Sequence, residues 1–579
     1  MKPIPYGISS YKSIRQNNYY YVDKTQYIPQ IEAAGSFLFL IRPRRFGKSS
    51  LLTMLECYYD IARVEEFDAL FAGTYIHEHP TPEKNAHLIL KFDFSQVCSD
   101  LDKVEASFEE YIESCLTLFC EKYRHFFEDR YISMLETKKI PHSKLNFLLS
   151  YIGTKGLKVY VLIDEYDNFT NTILSTAGQA HYQKLTHGAG FLRFFFSILK
   201  GATSLTDVGI SRMFITGVSP VTMDDVTSGF NIGRNISLLP SFNEILGFNE
   251  SKLIEMLEYY RENGGSLPEL NEMLALMKAW YGNYLFSRSA ESEMFNTDMV
   301  LYFVKNLLDL GNIPEEMIDP NVKVDYEKLR HLVVLDRKLN GNFSRLRAII
   351  EAGGISADVA PSFPVEDLTK PKNFISLLYY FGLLSYQGEE ELIIPNRTVQ
   401  NLMYSYIRDG YEDVEVFSID LWHFANLVRK MAYQGEWQAV FEFLAQEVDK
   451  QTSIRDFLSG EKVVQTFLLA YLNVTDYYIT RTEEEMGKGF VDLYLEPFVS
   501  KYDRVKYAYL IELKYIRRSE FSEDLLQEKL GEARRQLRQY ASDRRVIRGS
   551  RGASLSLVVL VFRGWELVVS EVVPYDYDI

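Results

Sequence analysis

Two groups of residues in this chain have the types and spacing to do phosphate chemistry. The first begins with Arg42-Pro-Arg-Arg-Phe-Gly-Lys-Ser-Ser50. Gly47, Lys48 and Ser49 match the end of the pattern G-x-x-x-x-G-K-[ST], and Arg42 stands where the first glycine belongs. Successive backbone N–H groups and a following helix N-terminus cradle phosphates whatever the first residue is. Lys48 is expected on the β- and γ-phosphates and the Ser49 hydroxyl on Mg²⁺. Arg44, Arg45, Phe46 and Ser50 are counted with the same nucleotide site; Arg44 and Arg45 add positive charge unless one is a solvated loop residue. Further on, Val159-Tyr-Val-Leu-Ile-Asp-Glu165 is an apolar run ending in two carboxylates. Asp164 at the end of a buried strand suits a magnesium ligand, and Glu165 suits the base that polarises an attacking water. Thr216 ends the next apolar run, where a γ-phosphate sensor belongs. Arg212 and Arg234 are candidates for a transition-state arginine.

The second group lies near the C-terminus. Asp492 closes Gly487-Lys-Gly-Phe-Val-Asp492, and Glu512-Leu-Lys514 follows within Tyr507–Lys514. Residues two apart on a strand share a face, so Glu512 and Lys514 point the same way. Asp492 and Glu512 can clamp one or two Mg²⁺ ions, with Lys514 orienting water or stabilising charge at a scissile phosphodiester. An exposed ion pair on a strand hairpin is the alternative reading of Glu512 and Lys514. Gln536 and Tyr540, four apart on an expected helix, also share a face. Seven arginines between Arg534 and Arg551 form a basic stretch that suits a phosphate-tracking groove or a solvated helix face.

These residues need a frame. Buried strands are expected at Ser36–Ile41, His87–Phe94, Lys158–Ile163 and Arg212–Thr216, alternating with helices, which implies a parallel α/β sheet. After Asn249 the pattern turns helical. Asn373–Ile407 reads as helix, hairpin, helix, compatible with a winged helix or with an ordinary lid. Strands return at Tyr477–Arg481, Gly489–Leu495, Tyr507–Leu513 and Leu555–Phe562. The expected division is a P-loop core over 1–248, a helical lid over 249–410 and a second α/β domain over 411–579. A chain of 579 residues exceeds the ~300 at which single cores stop growing.

Composition excludes several classes. Apolar residues at 47% and charged residues at 25% are a globular balance, not a disordered one. A net charge of −16 confines nucleic-acid binding to a local basic patch. The four cysteines lack CxxC spacing, so a zinc site is not expected. No apolar run approaches the ~20 residues of a membrane span, and a cytoplasmic protein without membrane contact is expected.

Pro5-Tyr-Gly-Ile-Ser, Tyr21-Val-Asp-Lys-Thr25 and the RPRRFGKS loop, with Lys91–Ser95, Asp164–Asp167, Thr216–Ser219 and Trp280–Tyr284, resemble the AAA-ATPase-like family found widely in bacteria. The resemblance covers about residues 3–285 and implies ATP and Mg²⁺ as cofactors. In that family the arginine for the first glycine is usual, and ATPases of this shape often act as oligomers. The Tyr21–Thr25 block either closes over the nucleotide or packs against the sheet. Residues 411–579 resemble the PD-(D/E)XK nuclease superfamily, with Gln536 and Tyr540 similar to its RecB-like branch. That resemblance implies Glu461 as the acidic residue from the first helix. It also leads one to expect a Tyr-His pair where Val464 and Gln465 stand. Together these imply an ATPase coupled to a Mg²⁺-dependent nuclease acting on DNA or RNA, in defence or mobile-element biology. The alternative is an ATP-regulated signalling or interaction protein whose nuclease-like domain binds without cutting.

Overall fold

The computed structural model describes residues 1–188, 190–203, 209–227, 232–323, 341–368, 370–482, 485–486 and 489–575. Two compact units are present, one formed by Met1–Leu332 and Gly354–Val399, the other by Val333–Gly353 and Gln400–Ile579.

The first unit is built on a five-stranded parallel sheet. Its strands are β1 (Phe37–Ile41), β2 (Leu88–Asp93), β3 (Val159–Asp164), β4 (Ile210–Gly217) and β5 (Arg234–Asn235), in the order β2-β3-β4-β1-β5. All six residues of β3 are buried, which is why it reads as a continuous apolar run rather than an alternating one. β1, which feeds the phosphate loop, and β3, which ends in Asp164, flank β4. Parallel pairing brings their carboxyl ends to one edge, where such sheets bind ligands. β5 has only two residues and no apolar signature, so sequence periodicity misses it.

Helices follow in the same unit: Glu250–Glu262, Leu270–Tyr281 and Thr297–Leu310, with a short pair β6 (Phe248–Asn249) and β7 (Met294–Phe295). Asn296 caps the third helix by accepting from the Met299 N–H. A small antiparallel sheet comprises β8 (Gly354–Ser356), β9 (Ser385–Gln387) and β10 (Glu391–Ile393), in the order β8-β10-β9. The expected helix, hairpin and helix are all present, at Pro371–Tyr380, β9–β10 and Arg397–Asp413. Every side chain from Asn373 to Tyr380 is buried, so that helix keeps no face for reading a nucleic-acid groove.

The second unit carries a mixed sheet. Its strands are β11 (Tyr478–Arg481), β14 (Leu493–Pro497), β15 (Tyr507–Ile516), β16 (Ser554–Arg563) and β17 (Glu566–Val573), in that order across the sheet. Only β15 and β16 run parallel. The expected single strand Gly489–Leu495 is in fact two. β13 (Gly489–Phe490) pairs back with β12 (Glu485–Met486), and the chain changes partner before β14 joins β15. Asp492 sits in that break. Gly487 and Lys488 lie outside the described residues. Helix Glu523–Ala541 packs its apolar face, including Leu530, Ala533 and Leu537, on Leu510, Leu557 and Val559 of the sheet. Among the described residues no helix is long and apolar enough to cross a membrane.

Candidate functional sites

The phosphate loop leaves β1 and enters helix Lys48–Tyr59 through Gly47, whose φ of 98° lies in the left-handed region that favours glycine. Arg42 turns away from the loop and is 1% exposed. Its guanidinium donates to the carbonyls of Ile41 (3.1 Å), Phe242 (3.0 Å) and Ser237, and lies 4.3 Å from the Phe286 ring centroid. The arginine in place of the first glycine therefore fastens β1 to the segment after β5. Phe46 is buried edge-on against Tyr284 and Phe286.

Three loop carbonyls are held by the N-terminus of helix Thr297–Leu310. The Asn296 amide donates to Arg44 O at 3.5 Å, the Asp298 N–H to Arg45 O at 3.1 Å and the Thr297 hydroxyl to Phe46 O at 2.9 Å. Arg45, at φ 68°, returns an ion pair to Asp298 at 3.1 Å.

The Lys48 ammonium is buried and donates to the carbonyls of Arg42 (3.0 Å) and Pro43 (2.9 Å). Burial lowers its pKa, while Glu165 and Asp164 oppose that shift. Thr216 donates to Asp164 Oδ1 at 2.6 Å, so its hydroxyl orients the carboxylate at the end of β3. Glu165 follows at φ 48°, and its carboxyl is pushed up by burial against the opposing pull of Lys48 and Arg44. Asn168 donates to it. Arg44, Arg45, Gly47, Lys48, Ser49, Ser50 and Glu165 line one cleft of about 390 Å³.

Arg212 and Arg234 do not join this site. Arg212 pairs with Tyr160 near the start of β3 and donates to Gly35 O at 3.3 Å; Arg234 pairs with Leu38 and donates to Ala34 O at 2.9 Å. Both lie at the amino-terminal edge of the sheet, opposite the phosphate loop. They cannot serve as the transition-state arginine of their own site.

Sequence reasoning quoted Pro5–Ser9 only as a motif, and offered the Tyr21–Thr25 block as one that either closes over the nucleotide or packs against the sheet. Pro5, Gly7, Ile8 and Ser9 line the phosphate cleft. A second, mainly apolar pocket of about 110 Å³ opens beside Gly47 and Ser50 and is lined by Tyr20, Tyr21, Val22, Lys24, Leu246 and Leu301, among others. The Tyr21–Thr25 block thus has two jobs. Tyr21, Val22 and Lys24 face the pocket, and burial brings the Lys24 ammonium down to about 8. Asp23 and Thr25 anchor the segment by accepting from the N–H groups of Tyr75 (2.7 Å) and Ile76 (3.1 Å). The Pro5–Ser9 and Tyr21–Thr25 motifs are the signal that pointed there.

In the second unit, Asp492 and Glu512 lie side by side. Asp492 Oδ2 accepts from the Leu513 N–H at 2.8 Å, and the Gln465 amide donates to the Asp492 carbonyl. Gln465, standing where the family resemblance led one to expect the Tyr-His pair, therefore fixes the strand break that presents Asp492. Glu512 is 1% exposed, and its Oε1 accepts from Lys514 Nζ at 2.7 Å. Among the described residues its Oε2 has no hydrogen-bond donor. The pair is buried, which excludes the exposed ion pair considered from sequence. Burial raises both carboxyl pKa values well above the ordinary range, and their mutual repulsion adds to this at Glu512. Those electrostatics fit a divalent cation, which would supply the missing positive charge and an electrophile for a phosphodiester.

Glu461, first residue of helix Glu461–Leu472, flanks the pair and accepts from the Tyr515 N–H at 3.2 Å. Gln536 and Tyr540 project from helix Glu523–Ala541 to the same place: both Glu512 and Asp492 act on the Tyr540 hydroxyl, and Gln536 lies beside it. Within the basic stretch, Arg534 is committed to Glu571 at 2.6 and 2.8 Å, whereas Arg535, Arg538, Arg544, Arg548 and Arg551 are exposed.

Residues 5–227 match the family model described as "Predicted AAA-ATPase", and residues 459–572 match the model of the "PD-(D/E)XK nuclease superfamily". Over 311 residues, 52% of this chain, the sequence is 26% identical to the "Uncharacterized protein in vnfD 5'region" of Azotobacter chroococcum mcd 1. The chain spans about half the length of that relative, 52%. No solved structure matches.

Proposed function

From a chain that joins a predicted AAA-ATPase domain to a PD-(D/E)XK nuclease-superfamily domain, we infer an ATP-dependent, Mg²⁺-requiring nuclease acting on DNA or RNA. Lys48 and the loop N–H groups bind the triphosphate, while Ser49 and Asp164 hold its magnesium. Glu165 accepts the proton of the attacking water. The apolar pocket beside Gly47 takes the base. With Arg212 and Arg234 facing the other edge, Arg44 in the loop or a second copy of the chain supplies the transition-state charge.

In the C-terminal unit Asp492 and Glu512 hold the cation, Glu461 completes the acidic set, and Lys514 orients the nucleophile or steadies the scissile phosphate. Gln536 and Tyr540 position the substrate. The helical region over 249–410 passes the nucleotide state on to the nuclease domain. The observation that carries this reading is the buried Glu512 Oε2 without a donor, beside a second carboxylate. An acidic atom left this way costs folding energy unless a proton or a cation satisfies it, and a divalent cation also neutralises the second carboxylate.

The experiment is cleavage of a panel of DNA and RNA substrates with Mg²⁺ or Mn²⁺, with and without ATP, by the wild type, Lys48→Ala and Glu512→Ala. Cleavage lost in Glu512→Ala and altered in Lys48→Ala supports the reading. ATP turnover without cleavage of any substrate overturns it in favour of a regulatory protein that binds without cutting.

A further inference from the structure

Helix Leu421–Gln434 of the second unit is amphipathic in an unusual way. Its inner face, Phe424, Val428, Met431 and Ala432, is buried. Its outer face presents Trp422, Asn426, Arg429, Lys430 and Tyr433, at spacings that align them along one side. Trp422 is 77% exposed. Opposite this stripe, Tyr433 meets Tyr477 edge-on at 5.6 Å, and Tyr477 meets Tyr502 at 4.9 Å. Arg504 closes the far side. Together they line a cleft of about 930 Å³.

The charge of this cleft runs against that of the chain. Arg429, Lys430 and Arg504 line it, and among the described residues no acidic side chain does. Asp476, beneath Tyr502, is engaged by Lys501 and by the Tyr502 hydroxyl. Glu436 stands 3.7 Å from Lys430 at the edge, and Asp503 lies near Tyr433. Aromatic rings set among cations are the means by which proteins hold single strands: bases stack on the rings and phosphates meet the cations. An acidic peptide would use the cations but not an open tryptophan face.

The cleft is separate from the nuclease centre. Tyr477 precedes β11, whose Tyr478 pairs with Pro497 at the far end of β14 from Asp492. The five residues of β14, roughly 17 Å of strand, lie between the two ends. Tyr509 donates to Met431 O, so the helix covers the face of β15 opposite to Glu512.

We propose that this cleft is a second nucleic-acid site, a stacking platform for single-stranded DNA or RNA outside the catalytic centre. It rests on the reading of the unit as a nucleic-acid enzyme, but its test does not require cleavage. Fluorescence anisotropy of labelled poly-dT and poly-U would be measured on the full chain carrying Glu512→Gln, in metal-free buffer, across a salt series. Trp422→Ala should weaken binding roughly five- to 150-fold, the range for one stacked base, and Trp422→Phe should restore most of it. Arg429→Ala with Arg504→Ala should lower the salt slope by about 1.4. Because all three side chains are exposed, the variants should keep the wild-type melting temperature. Unchanged affinity and slope in these variants would sink the cleft while leaving the nuclease reading intact. Trp422-dependent binding by a protein that never cleaves would do the reverse. Binding of polyglutamate, with neither oligonucleotide held in the cleft, would reassign it to an acidic protein and overturn the proposal.

Discussion

Lys514 Nζ meets Glu512 Oε1 at 2.7 Å from two residues along the same strand, so it engages one of the two carboxylate oxygens and leaves the other buried without a donor among the described residues. A cation at that second oxygen is the consequence this geometry asks for, and it can be measured without any substrate.

With both carboxyl pKa values raised by burial, protons must leave before a cation binds. Mg²⁺ or Mn²⁺ affinity should therefore rise with pH through neutrality, with proton release on binding. A metal in hundredfold excess over its dissociation constant should add about 2.7 kcal/mol to stability. Calorimetric melting at pH 6 and pH 8 checks this: the metal-induced shift should be larger at pH 8 and absent in Glu512→Gln. In metal-free buffer the sign reverses. Groups whose folded pKa is raised favour the fold at low pH, and that contribution is lost as pH rises through the folded values.

Restoring the general motif with Arg42→Gly should harm the protein. It removes three donors to buried carbonyls and the contact with Phe286. A loss of roughly 3–5 kcal/mol is expected. Chemical denaturation would read it, and Arg42→Lys should not rescue, because a point charge cannot replace the planar fork.

Lys48→Ala and Glu165→Gln should separate binding from turnover. The first should weaken ATP binding by about 2 kcal/mol or more, roughly thirtyfold. The second should keep ATP affinity and lower kcat by about 10²–10⁴. Equilibrium dialysis beside a phosphate-release assay distinguishes them; equal losses of affinity in both variants would rule out Glu165 as the base.

Thr216→Val should lower ATP turnover by about tenfold, the worth of one hydrogen bond to a carboxylate, while Thr216→Ser should retain it. A Thr216→Val enzyme with unchanged turnover would leave the hydroxyl a packing role only.

The parts legible in the sequence were those whose signal is local. β1 to β4 are buried on both faces and read as apolar runs. Helix Lys48–Tyr59 begins where Gly47 ends the loop. Glu512 and Lys514 share a face because a strand repeats every two residues. What the sequence hid depends on partners far along the chain. The strand break at Asp492 comes from a short ladder with β12, and Arg42 reveals its role only through Ser237 and Phe242. Arg212 and Arg234 looked suitable by residue type, but strand direction put them at the wrong edge. Pro5 and Tyr21 stand in motifs legible in the sequence, but that they wall the cleft depends on tertiary packing that the motifs do not encode.

Asn296, Thr297 and Asp298 grip the loop that contains Lys48 from some 250 residues downstream. During synthesis the ribosome will therefore have made every signature residue of the nucleotide site long before the clasp that shapes it. A nascent chain truncated after β5 would contain the motifs yet hold an unclasped loop. The loop can take the shape it has in the folded chain only once the helical segment has emerged.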